Sequence, residues 1–154
     1  MVLSRLDVRT FREEDLAQTV ALAHSNPNGC LCFARDELFL RYFIDYPGVS
    51  TDSVFVAIEN ENIVGLAIVA ITGEENLRQG DIIELQANDT LSAESLVRAA
   101  EDYCAAKDVY MIAVAPPPHI DRRKVFADWQ RFETNVMMCK PLSVLSQEKF
   151  KSEA

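Results

Sequence analysis

Glycine and proline are scarce, with 5 and 6 in a chain of 154 residues, so a long disordered or low-complexity segment is not expected. Cysteine is also sparse. Cys30, Cys32, Cys104 and Cys139 are too few for a disulfide framework, and a chain this long can build a core without one. Free thiols are the expectation. No apolar run is long enough to span a bilayer. The first twelve residues lack the basic start and continuous apolar stretch of a secretory leader, so a cytoplasmic location is expected. Positive charge is in deficit: 15 Lys and Arg stand against 24 Asp and Glu, a formal net charge of -9. Such a field repels nucleic acid and anionic membrane, and neither is expected as a partner. It weakly favours cations such as amines.

What remains is an ordinary globular composition, 49% hydrophobic and 25% charged, enough for one domain over residues 1–146 with a polar tail over 147–154. Alternation in residues 3–10 predicts a first strand. Thr10 is placed to cap a helix whose first turn holds Glu13 and Glu14. Residues 25–29, Ser-Asn-Pro-Asn-Gly, should end it. A second helix over 35–46 carries an aromatic stripe including Phe39, Tyr42, Phe43 and Tyr46. Two apolar runs, 54–58 and 63–71, flank a polar tetrad and predict a hairpin. The second run is apolar throughout, so it belongs in the middle of a sheet. Gly65 within it suggests a bulge or a close approach by another backbone.

Residues 81–87, DIIELQA, read as a fourth strand. Residues 92–107 form a helix that Ser92 can cap, burying Leu96, Ala99, Ala100, Tyr103 and Cys104. Residues 109–115 form another buried strand, ended by three prolines that cannot donate to a ladder. A last helix over 121–132 and a short strand over 136–139 close the chain. A hairpin followed by βαβ crossovers predicts an α/β fold: a mixed, twisted sheet with helices on both faces.

That order resembles the GNAT superfamily of acyl-CoA-dependent N-acyltransferases over nearly the whole chain. Three stretches carry the likeness: Phe55 to Ile71 (FVAIENENIVGLAIVAI), Ala99 to Val114 (AAEDYCAAKDVYMIAV) and Phe126 to Leu142 (FADWQRFETNVMMCKPL). The resemblance implies an acetyl-CoA or related acyl-CoA donor and a small-molecule or peptide amine as acceptor. A homodimer is compatible with it. It places the donor along Leu85, Ala87, Asn88, Ser92 and Ala93, where the family carries Gln/Arg-x-x-Gly-x-Gly/Ala. Here Asn88 replaces the Gln/Arg, Leu91 stands at the first glycine, and Asp89 adds an anion. Glu84 matches the fourth-strand carboxylate that takes a proton from the amine, directly or through an ordered water; its plainer alternative is a solvent-facing residue at a strand edge. Tyr42 and Tyr46 would border the acceptor. No tyrosine stands in the last helix to protonate a departing thiolate, and the segment after Phe132 is short for the family's two closing strands. If the donor grip is lost, the same fold would serve as a non-catalytic binding or regulatory domain.

Other candidates are weaker. Arg122, Arg123 and Lys124 open the last helix and could meet a phosphate-bearing ligand, though a charge run is more often a solvated face. Cys30-x-Cys32 near His24 lacks the spacing of common zinc sites, and no metal is expected. Nothing local activates a thiol beside His24 or His119.

Overall fold

The computed structural model describes residues 5–25, 37–117, 120–131 and 138–142. Among the described residues seven strands form one sheet: β1 (Leu6–Thr10), β2 (Val54–Glu59), β3 (Asn62–Thr72), β4 (Gln79–Ala87), β5 (Met111–Val114), β6 (Gln130–Arg131) and β7 (Met138–Pro141). Their spatial order is β1-β2-β3-β4-β5-β7-β6. β4 and β5 run parallel; the other neighbouring pairs of these strands are antiparallel. The helices are α1 (Leu16–Ser25), α2 (Glu37–Ile44), α3 (Thr90–Ala106) and α4 (Arg122–Val125). One core cluster joins α1 to Val54, Val56, Leu66 and Ile68, with Phe43 and Ile44 of α2 packed on it. The other joins α3 and Val125 to Phe55, Ala67, Val69, Ile82 and Leu85. The sheet is thus covered on both faces, and the expected α/β class holds.

The hairpin falls where the polar tetrad placed it. Asn60 and Glu61 both have positive φ (50° and 68°), as a tight two-residue connection requires. β3 is buried from Gly65 to Ala70, in keeping with its unbroken apolar run. Both expectations for Gly65 hold: the β2–β3 register shifts beside it, and a Cβ there would lie 2.7 Å from Leu96 Cδ1 and 3.0 Å from the Gln86 carbonyl oxygen.

Several boundaries differ from the sequence reading. Thr10 is the last residue of β1 and caps no helix. A 3-10 turn, Glu13–Asp15, precedes α1, and the Asp15 carboxylate accepts the Arg12 N–H at 2.7 Å. Ser92 does not cap α3; Asp89 does. The helix expected over 121–132 shrinks to four residues, because the chain turns at Phe126 and enters β6 at Gln130. A strand therefore precedes Phe132, and both closing strands are present after all. Trp129 and Lys140 hold this region by donating to the two oxygens of Glu101 on α3, at 2.7 and 3.1 Å. The closing strand is described over Met138–Pro141; residues 136 and 137 of the expected strand lie outside the described residues. Cys30, Cys32, His119, Phe39 side-chain packing and the 147–154 tail lie outside what the structure describes.

Arg9 grips the buried Asp15 with two bonds, 2.7 and 2.8 Å, and holds its carboxyl below the usual range. Arg9→Met should destabilise the protein by roughly 3 kcal/mol at neutral pH, since it strands a buried charge. Urea denaturation should show the gap closing once Asp15 is protonated; an equal gap at every pH would refute this role. Gly48 has φ +88°, and a Cβ there would lie 2.5 Å from the Ile71 carbonyl oxygen, which is backbone and cannot yield. Gly48→Ala should cost about 2 kcal/mol or more; an unchanged urea midpoint would contradict the packing.

Candidate active site

β4 and β5 pair from Gln79↔Met111 to Ile82↔Val114, and there the pairing stops. Pro116 and Pro117 follow Ala115 and have no N–H to donate, so β5 cannot continue the ladder. β4 runs on to Ala87, where among the described residues its pairing is with β3 on its other side. The two parallel strands part at their carboxyl ends, the position where open α/β sheets receive ligands.

A bulge in β4 decides which side chains share a face of the sheet beside this opening. Ile68 pairs with Glu84, but the next residue, Val69, pairs with Ile82. Ile83 is therefore an extra residue on β4. A side-chain period of two would send Asp81 and Glu84 to opposite faces; the inserted residue brings both to the α1/α2 face. Glu84 then lies opposite Ile68, and Gln86 opposite Leu66, both members of the α1 core cluster.

Glu84 is fully buried, which overturns the solvent-facing alternative. Its Oε1 accepts one bond from Gln86 Nε2 at 3.1 Å, while Oε2 has no partner among the described residues. Burial of the charged form pushes its pKa up to about 8, and the Gln86 amide offsets this only in part. A carboxyl so placed stays mostly protonated at neutral pH and ionises only near pH 8.

Ile83 and Leu85, on either side of Glu84, line a cavity of about 430 Å³ together with Tyr46, Thr72, Asp81 and Pro117; Glu84 itself is buried behind them and is not a lining residue. Asp81 is its only charged lining residue among the described ones. It is half-buried, and loss of solvent raises its pKa against a 2.8 Å bond from Gln79. Tyr46 lies on the cavity wall. Tyr42 does not: it is 61% exposed and turns an edge to Tyr46 at 6.1 Å.

The residues expected along a donor divide. Leu85 and Ala87 are buried on β4 beside the parted edge, and Ala93 is buried under α3. Asn88 is exposed, and its N–H donates to the Val64 carbonyl. Ser92 is buried, its hydroxyl without a partner among the described residues, while its N–H goes to Asp89 Oδ1 at 2.7 Å. Arg122 and Arg123 are exposed on a four-residue helix capped by Asp121, outside the cavity. His24 is exposed, and no metal-binding cluster occurs among the described residues. The parted strands fit an extended thioester arm. The first turn of α3 does not fit a diphosphate, because a carboxylate already occupies it.

Sequence reasoning missed Asp81 and the bulge. An acidic residue opening an apolar strand was the available signal for Asp81. Nothing in DIIELQA marks Ile83 as the inserted residue.

No protein-family model and no curated protein matches the chain. Solved structures do. It is similar to TTHA1254 from Thermus thermophilus, at 23% identity and a TM-score of 0.56 over 79% of this chain and 82% of that one. It is similar to the ribosomal-protein-S18-alanine N-acetyltransferase of Escherichia coli, at 9% identity and 0.65 over 91% and 96%. It also matches N-acetylglutamate synthase from Neisseria gonorrhoeae, solved with coenzyme A and N-acetyl-glutamate, at 15% identity and 0.66 over 90% of this chain and 35% of that one. The likeness establishes the fold: the chain has the architecture of the GNAT acetyltransferases.

Proposed function

We propose that this protein transfers an acyl group from a thioester to an amine, with Glu84 as the base. The observation that carries this reading is a buried carboxyl, one oxygen of which has no partner among the described residues, beside the parted ends of two parallel strands. A bound donor would supply the activated acyl carbonyl. The chain's own residues then have two tasks. Glu84 takes the proton that the amine sheds, which a pKa of about 8 suits. The cavity holds the acceptor, and its lining, apolar but for Asp81 and a few hydroxyls, suits a cationic amine on an apolar body. Asp81 and Tyr46 would orient it, so much of the acceleration would come from juxtaposition.

A second reading has one observation behind it. Asp89 blocks the first turn of α3, as a non-catalytic binding domain that had abandoned acyl-CoA could tolerate. The two readings separate in one assay: full-length protein, millimolar acetyl-CoA, a panel of primary amines and detection of released thiol. Amine-dependent thiol release supports acyl transfer. Its absence, together with no thermal shift on adding acetyl-CoA, would sink it and favour the binding domain.

A further inference from the structure

The first turn of α3 stands at the mouth of the parted strands, two residues after β4 ends at Ala87. The far end of an extended donor lying between β4 and β5 would emerge there. A helix N-terminus in that place ordinarily offers backbone N–H groups and positive potential to a phosphate group. In this chain part of that offer is taken from within, by a side chain that carries negative charge. The Asp89 carboxylate stands on that end, its Oδ1 accepting the Ser92 N–H at 2.7 Å, while the Ala93 N–H makes the helix's own first bond, to the Asp89 carbonyl at 3.1 Å.

Three further features point the same way. No glycine occurs after Gly80, so no residue of this turn lets the backbone close on a phosphate without a side chain in the way. Leu91, 62% exposed, projects an apolar side chain from the turn. Along the outer groove of α3, Leu91 is followed by Glu94, Arg98 and Asp102, which leaves that groove without net positive charge.

We infer that this protein recognises its donor by the acyl-pantetheine arm alone and does not grip the nucleotide diphosphate of coenzyme A, because Asp89 fills the diphosphate's place at α3. The inference rests on the acyl-transfer reading and narrows it. The substrate class is an acyl-pantetheine thioester, whether carried on a nucleotide or on another bearer.

Calorimetric titration of the full chain with acetyl-CoA and with S-acetyl-pantetheine tests it without relying on turnover. The dissociation constants of the two donors should agree within about fivefold. Asp89→Asn keeps the capping oxygen and removes the charge. It should tighten acetyl-CoA by about fivefold or more and leave S-acetyl-pantetheine unchanged. Wild-type protein that binds acetyl-CoA more than fivefold tighter than S-acetyl-pantetheine would overturn the inference while sparing acyl transfer. So would an Asp89→Asn variant with no gain for acetyl-CoA. Failure of both donors to bind wild-type protein would remove the acyl-transfer reading and the inference together.

Discussion

Glu84→Gln should lower amine acylation by about 10²- to 10⁴-fold, the usual contribution of a positioned general base. The fold should survive. The substituted amide keeps a carbonyl oxygen where Oε1 now accepts the Gln86 N–H, and it brings no charge into a fully buried position. The loss should fall on turnover, not on binding of the donor, because the carboxyl acts on the amine. The wild-type rate should climb with pH through about 8, as the carboxyl gives up its proton, and the variant's residual rate should lack that limb. A variant that retains wild-type turnover and pH dependence would remove Glu84 from the chemistry.

The same carboxyl should make stability fall as pH rises. Its pKa is about 8 in the folded chain against an ordinary 4.5. Between those values the folded state holds a proton that the unfolded state has released. The stability this proton confers is therefore complete below about pH 4.5 and is lost as pH climbs through 8. The slope is on the order of 1.4 kcal/mol per pH unit in that window. Asp81, also raised, acts in the same direction. Asp15, lowered by the Arg9 guanidinium, acts oppositely, and its contribution is lost only in acid, as pH falls through its depressed pKa. Urea midpoints measured from about pH 5 to 9 should decline in the wild type and flatten in Glu84→Gln. Parallel curves for the two proteins would count against a protonated Glu84.

Much of the architecture was legible because it rests on periodicity and on breakers. The unbroken apolar run 63–71 marked a central strand, and the prolines after Val114 marked the end of β5. Glu84 could be picked out through the resemblance, as the carboxylate matching the one on the family's fourth strand. Its environment could not, because burial depends on a register shift at Ile83 that no turn residue announces. The α4 region misled for a similar reason. Val125, Trp129 and Phe132 have helical spacing, yet Trp129 is held by Glu101 from α3, a partner 28 residues away. Capping was misassigned at Ser92 because serine and aspartate are both good caps, and the extended backbone at Asp89 decides between them.

The central claim is that Glu84 is a buried carboxyl held protonated near neutrality at the point where two parallel strands part. Carbon-13 NMR titration of its side-chain carboxyl, assigned by comparison with Glu84→Gln, reads this directly. The account predicts a midpoint near pH 8. A midpoint in the ordinary carboxylate range, near 4.5, would contradict it.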